Sequence, residues 1–346
     1  MQIGNFKIGE DNKCFIIAEL SANHNHDFNI AVKSIEAAKE AGADAVKLQT
    51  YTPDTITIDC NNRYFQTNKG GLWEGQNLYS LYKQAYTPWE WQPKLKEIAN
   101  SLGMECFSSP FDFTAVDFLE KMDVPAYKVA SFEITDIPLI EYMAEKGKPM
   151  IISTGIANLT DIEKAVDACH RKGNRDVVIL KCTSAYPAKI EDANLKMIAN
   201  LKETFGTEVG LSDHTLGVTV PISATILGAK VIEKHFILDK SIKTPDSEFS
   251  LDKDEFKFMV KSVREAEKSL GNIDYKLDER KIERRKYARS LFVVKNVKKG
   301  EMITSENVRS IRPSDGIHPE NYNKILGKRF NNDYEKGTPL LWECIG

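Results

Sequence analysis

The sequence predicts an α/β fold, a (β/α)8 TIM barrel followed by a small C-terminal β-rich domain. Two observations carry the barrel and a third carries the tail. Eight short β-rich runs recur over about 225 residues, and the segments between them place apolar residues at i, i+3 and i+4, the period of an amphipathic helix. Strands that alternate with helices build a parallel sheet, and eight repeats in that length suit a closed barrel. From Ala288 onward the alternation stops and short strands and turns take over.

Taken in order, Cys14–Leu20 (CFIIAEL) opens the series, with Ile30–Ala41 as its helix. Ala45–Thr50 (AVKLQT) follows. The longest interruption, Tyr51 to Thr87, leaves the C-terminal end of that second run and contains Lys69-Gly70-Gly71-Leu72-Trp73, so it reads as an active-site loop. Glu105–Ser109, Ala126–Ser131 and Met150–Thr154 are the next three runs. Leu159–Arg171 has a cap region at Asn158 and Thr160 ahead of Asp161 and Glu163, as a helix start should. Val177–Thr183, Glu208–Asp213 and Lys230–Phe236 complete the eight. The charge-dense stretch Asp274 to Lys286 reads as a solvated linker helix. The expected partition is a barrel over 1–271, a linker over 272–287 and a small domain over 288–346.

Of 346 residues, 47 are Lys or Arg and 50 are Asp or Glu, a net charge of −3. With no basic excess to neutralise phosphates, a nucleic-acid or membrane-surface binder is disfavoured. The most apolar segment, Val220 to Ala229, is interrupted by Ser223 and Thr225 and falls short of the roughly 18 apolar residues of a membrane span. Glu10 and Asp11 ahead of the first apolar run argue against a signal peptide. Six cysteines form no C-x-x-C pair and read as reduced residues of a cytoplasmic protein.

In a βα barrel the active site lies at the C-terminal ends of the strands. Those ends are polar here with unusual regularity. The first run ends at Glu19, the second carries Lys47 and Gln49, and the third ends Ser108-Ser109. The fourth has Lys128 and Ser131, with Glu133 just beyond, and the fifth ends Ser153-Thr154-Gly155. The sixth leads into Thr183-Ser184-Ala185-Tyr186, the seventh ends Ser212-Asp213-His214, and the eighth carries Glu233 and His235. One such residue is an ordinary cap or loop hydrogen bond; eight consecutive strand ends converge on one mouth.

A lysine inside an apolar strand is expensive to bury unless an anion meets it. Lys47 and Lys128 therefore point to phosphate and carboxylate binding, with hydroxyls and the Gly155 backbone, read as a helix start, on the neighbouring strand. A Schiff-base lysine is the alternative. His214 and His235 end adjacent strands, a metal-ligand arrangement that substrate and water would complete, which suits Mn²⁺ or Mg²⁺ better than a closed Zn²⁺ site. Asp213 is the expected acceptor for one ring. His24 and His26 read as loop residues.

The segments AELSANH (18–24), KLQTYTPD (47–54), FSSPF (107–111), YKVASFE (127–133), STG (153–155), KCTSAYP (181–187), GLSDH (210–214) and EKHF (233–236) resemble the sialic acid synthase family. The tail from Ala288 to Pro319 looks like that family's C-terminal SAF, or antifreeze-like, domain. Ser131-Phe132-Glu133, where relatives making sialic and legionaminic acid have Ser-Gly-Glu, together with AELSANH and the KGGLW loop, looks like the pseudaminic acid synthase branch. The resemblance implies condensation of phosphoenolpyruvate with an open-chain amino-sugar aldehyde to give a nonulosonic acid and phosphate. It implies phosphoenolpyruvate binding by Lys47, Ser109, Lys128, Ser131, Ser153, Ser184 and Ser212, and metal ligation by His214 and His235. Gln49, Glu133, Tyr186 and Asp246 match positions near the sugar, and Glu19 matches the catalytic carboxylate. The cofactor implied is a divalent ion, Mn²⁺ first, with Mg²⁺ or Co²⁺ possible, acting as a Lewis acid on the aldehyde. Arg312 matches an arginine that reaches into the partner's active site, which implies a domain-swapped homodimer. Synthases of N-acetylneuraminic or legionaminic acid with the same chemistry, and a non-catalytic sugar-binding protein, are the alternatives.

Overall fold

A run of apolar residues buried on both faces satisfies its backbone only by pairing on both sides, which is the situation of a strand in a closed parallel barrel. Each of the eight runs meets that condition. The computed structural model describes residues 1–9, 11–67 and 72–346, and they form two units, Met1–Gly271 and Asn272–Gly346. In the first, strands β1 (Phe15–Glu19), β2 (Ala45–Thr50), β3 (Glu105–Pro110), β4 (Tyr127–Val129), β5 (Met150–Ser153), β6 (Val177–Cys182), β7 (Glu208–Asp213) and β8 (Val231–His235) pair in sequence order. β8 closes on β1, with Ile17 opposite Glu233 and Glu19 opposite His235. The fourth strand is three residues long rather than the six of its run, because Ala130 and Ser131 leave the sheet to line the cavity described below.

Helices cover the outside. Phe28–Ala41 starts on Asp27, whose carboxylate accepts from the Asn29 and Ile30 amides, and it buries Ile35, Ala38 and Ala41. Leu159–Arg171 carries a reciprocal capping box between Asn158 and Asp161. That helix begins four residues beyond Gly155, so the expectation of Gly155 at a helix start is corrected. Its glycine serves close approach instead: a Cβ there would lie 1.9 Å from Ser184 Oγ and 2.8 Å from Ser131 Cβ. The 51–87 excursion holds the helices Pro53–Ile56 and Leu78–Ala85. Lys69, Gly70 and Gly71, part of the sequence-predicted loop, and Glu10 lie outside the described residues.

The second unit holds the helix Glu279–Arg285 and an antiparallel pair, β9 (Ser290–Val293) with β10 (Val308–Ile311), around its own core that includes Leu291, Val308, Phe330 and Leu340. Among the described residues no helix is long and apolar enough to cross a membrane. The six cysteines are unpaired; five are buried, and Cys60 is half-buried.

Candidate active site

Side chains alternate along a strand, so Glu233 and His235 of β8 face the barrel interior while Lys234 between them faces the helices. The same period turns Glu19, Lys47, Gln49 and Lys128 toward one cavity of about 340 Å³ at the C-terminal ends of the strands.

Its floor is ionic. Lys47 Nζ sits 2.6 Å from Glu19 Oε2 and 3.9 Å from Glu233 Oε1, and donates to Ser109 Oγ at 3.3 Å. Lys128 Nζ donates to Ser153 Oγ and Val129 O, both at 2.7 Å. Ser212 Oγ donates to Glu233 Oε1 at 3.2 Å. Burial pushes the Glu19 carboxyl up to about 7, against the pull of the Lys47 ammonium, and the Glu233 charge adds to the rise. Burial works against the charge on Lys47 too, but Glu19 and Glu233 outweigh it and hold its ammonium above the usual range. For Lys128 burial wins and the amine titrates lower than usual. Burial opposes the Glu233 charge, yet Lys128 and Lys47 together keep this carboxyl below its ordinary value. Glu233 Oε2 is buried without a hydrogen-bond partner. Two ammonium groups with serine hydroxyls beside them at the base of a cavity describe a receptor for a small polyanion.

Two imidazoles stand at the mouth, with ring centroids 5.3 Å apart. His214 Nδ1 lies 3.0 Å from Thr183 O; a carbonyl only accepts, so Nδ1 carries the proton and Nε2 keeps its lone pair. His235 Nδ1 is buried with no hydrogen-bond partner, 4.0 Å from Asp246 Oδ2, and burial with the neighbouring His214 keeps the ring neutral. The neutral, unpartnered His235 ring beside His214, whose pKa is raised, against the effect of burial, by Cys182 and the Thr183 carbonyl, fits a divalent ion, although no cluster of three or more His, Cys, Asp or Glu that could hold a metal occurs among the described residues; solvent and substrate oxygens would have to supply the remaining positions. Asp213 is not the ring acceptor expected from the sequence. It pairs instead with Lys234 Nζ at 2.5 Å and accepts from the Thr215 hydroxyl at 2.8 Å, because it points out of the barrel.

The remaining wall is aromatic. Tyr186 lies with its ring 4.6 Å from His214 and 5.1 Å from Phe249. The Trp73 ring is 5.8 Å from Tyr186, and its indole N–H donates to Pro245 O at 3.0 Å. Leu81, Tyr82 and Ala85 come from the helix Leu78–Ala85. Phe132 lines the same space while remaining 57% exposed. Glu133 beside it is pushed up to about 7 by burial.

Of the residues expected from the sequence, Glu19, Lys47, Gln49, Lys128, Ser131 and Glu133 line this cavity, as do Ser153, Tyr186, Ser212, His214, His235 and Asp246. Ser109 and Ser184 stand one layer back, Ser109 under Lys47 and Ser184 bonded to Ser131 Oγ at 2.6 Å. Arg312 belongs to the second unit, exposed and grouped with Arg280, Lys281, Arg284 and Arg285 around a shallow basic concavity. His24 is buried, bonded to Thr87 Oγ1 at 3.0 Å, and does not line the cavity. Ser21, Cys182 and Phe249 line the cavity without being candidates in the sequence, Trp73 lines it from the stretch read as an active-site loop, and Glu233 is a strand-end residue the sequence names without a role. Glu233 was recoverable from its i, i+2 spacing to His235; the loop aromatics carry no periodic signal.

The NeuB family profile matches residues 34–275, and the SAF domain profile matches residues 288–346. The chain is 52% identical over 340 residues to the pseudaminic acid synthase of Campylobacter jejuni, covering 98% of each. It is 49% identical over 331 residues to that of Helicobacter pylori, covering 95% of this chain and 97% of the relative. The crystal structure of the N-acetylneuraminic acid synthetase of Leptospira borgpetersenii in complex with citrate superposes with a TM-score of 0.72 at 32% identity, covering 82% of this chain and 94% of that one.

Proposed function

The chain belongs to the NeuB family, and on that premise we propose that it condenses phosphoenolpyruvate with 2,4-diacetamido-2,4,6-trideoxy-L-altrose to give pseudaminic acid and inorganic phosphate. The observation that carries the reading is the joining, in one cavity, of the Lys47–Lys128 floor, the two imidazoles and an aromatic wall, in a chain that matches pseudaminic acid synthases over nearly its whole length.

Lys47 and Lys128 hold the phosphate and carboxylate of phosphoenolpyruvate, aided by the hydroxyls of Ser131, Ser153 and Ser212, with Ser109 and Ser184 behind them. Carbon 3 attacks the sugar aldehyde, and the positive charge left at carbon 2 is met by water. The resulting tetrahedral intermediate loses phosphate by C–O cleavage, and the ammonium groups stabilise the departing anion. Glu19, with its carboxyl titrating near neutrality, moves a proton to or from that water or the aldehyde oxygen. His214 and His235 would hold a divalent ion, Mn²⁺ in this proposal, which would supply Lewis-acid polarisation of the aldehyde. Gln49, Glu133, Tyr186 and Asp246 orient the sugar, and the aromatic wall keeps bulk solvent from the reacting atoms apart from the water that attacks carbon 2. Arg312 acts in the cavity of a second copy, in a domain-swapped homodimer; its exposure and the basic residues around it support that role. Six unpaired thiols favour a reducing, cytoplasmic setting.

A phosphate-release assay tests the substrate. The 6-deoxy diacetamido sugar should be turned over much faster than N-acetylmannosamine; equal or better use of N-acetylmannosamine moves the enzyme to the sialic acid branch. Phosphoenolpyruvate labelled with ¹⁸O at the bridging oxygen should deliver its label to phosphate. Mixing Arg312→Ala with Lys128→Ala subunits should restore activity in hybrids, and no recovery despite proven exchange places the arginine elsewhere.

A further inference from the structure

Five non-glycine residues among the described ones have a positive φ. Four are Asn, Asp or His, the types that tolerate this region best. The fifth is Ser21, with φ of +42°, immediately after β1. It is also the one of the five that lines the cavity, and it is 3% exposed. A strained backbone persists only where its surroundings hold it, and such residues gather at functional sites. The question is what the Ser21 hydroxyl does there.

Its bonding is directional. Ser21 Oγ donates its single proton to Asp246 Oδ2 and accepts from Gln49 Nε2 at 2.9 Å. Gln49 Nε2 also donates to Glu19 Oε1 at 3.0 Å. Both amide hydrogens of Gln49 are therefore spent inside the protein, and the carbonyl oxygen is the end left for a ligand. Turning the amide over would need a proton on both the Glu19 and the Asp246 carboxylates, because each would then have to donate.

We propose that Ser21 is a positioning residue: its hydroxyl fixes the Gln49 amide so that the cavity is offered an acceptor, matched to an N–H or O–H donor of the sugar, and ties Asp246 to the same frame. The assignment rests on the synthase reading above and assigns Gln49 a polarity within it. It explains a serine where the backbone favours glycine, since glycine would relieve the strain and lose the bond.

Two variants separate the hydroxyl from the strain. Ser21→Ala keeps the conformation and removes the hydroxyl; Ser21→Gly removes both. The expected result is a loss of about ten- to a hundred-fold in kcat/KM for the sugar in both, the scale of a buried bond in a charged network. KM for phosphoenolpyruvate should stay within about two-fold, and the Tm of Ser21→Gly should equal or exceed that of the wild type. Wild-type sugar kinetics in either variant, or equal losses for both substrates, would overturn the assignment. Crystals of unliganded Ser21→Gly provide a readout free of turnover: a displaced Gln49 side chain supports the role, and an unmoved one refutes it. Wild-type protein that releases no phosphate from any acylated sugar would count against the synthase reading, and the crystal result would still decide the role of Ser21.

Discussion

The barrel buries lysine against carboxylate in two places, and the two differ in what they leave unfinished. On the outer side of β8, Lys234 is 0% exposed, bonded to Asp213 Oδ2 and to Thr215 O, and its network is closed. On the inner side, Lys47 and Lys128 face Glu19 and Glu233 around a cavity, and Glu233 Oε2 has no hydrogen-bond partner. Both clusters carry the desolvation cost of burying charge. The closed pair ties the end of β7 to β8; the open cluster keeps capacity for a ligand. Burial of an ion is therefore not the mark of the site, whereas incomplete satisfaction is.

The contrast is broken most severely by exchanging the two behaviours. Lys128→Ala should cut kcat/KM by about 10²–10³-fold or more, with a smaller loss of stability than full stranding of a partner, because Glu233 keeps Lys47 beside it. Lys234→Met should instead cost about 3–5 kcal/mol of stability by stranding Asp213, and Lys234→Met with Asp213→Leu should recover much of it. Urea denaturation beside steady-state kinetics checks both. A Lys234→Met protein of wild-type stability would sink the division.

The histidines sharpen it next. His235→Ala should bind Mn²⁺ more than about 100-fold more weakly in titrations of the metal-free protein, since even outer partners of a metal ligand are worth 10–100-fold, while its fold survives. Unchanged Mn²⁺ affinity removes His235 from the metal site.

A smaller effect is expected from pH. The folded-state pKa of Glu19 is raised from 4.5 to about 7, so its protonated form is the one that folding favours. Its contribution is fully present below about pH 4.5 and is lost as pH rises through about 7. Glu19→Gln escapes that loss, so its stability relative to wild type should improve between pH 5 and pH 8, by on the order of 2–3 kcal/mol. Parallel stability curves across that range would show that Glu19 stays ionised throughout. The smallest expected change is in selectivity: Phe132→Gly should raise the use of N-acetylmannosamine relative to the 6-deoxy sugar by about ten-fold, read as a ratio of kcat/KM values.

Legibility followed the strand ends. The polar C-terminal ends of the eight runs disclosed Glu19, Lys47, Gln49, Lys128 and the histidine pair, because a parallel barrel gathers those ends at one mouth. The resemblance supplied Asp246 and Arg312, which no spacing indicates. The expectation for Asp213 failed on the alternation of side chains along a strand: His214 sits just past the strand end, and its neighbour Asp213 turns outward to Lys234. Phe249 was not legible, since it reaches the cavity from a connection with no periodic signal, and Trp73 was legible only as part of the active-site loop, its place being set by distant contacts such as that with Pro245 O.

The sequence by itself determined the barrel, the separate small domain and the chemistry of the strand ends, since local hydrophobic period and the cost of burying charge act on neighbours along the chain. Only the tertiary structure decided which charges are satisfied and which are open. The sequence shows Lys47 and Lys234 alike, as lysines in apolar runs; Glu19, 28 positions before one, and Asp213, 21 positions before the other, become their partners only when the barrel closes. Ser21 makes the same point at its shortest range and its longest. Its identity is written beside Glu19, but its meaning depends on Asp246, 225 residues away, because a hydroxyl has one proton to give and the fold chooses the acceptor.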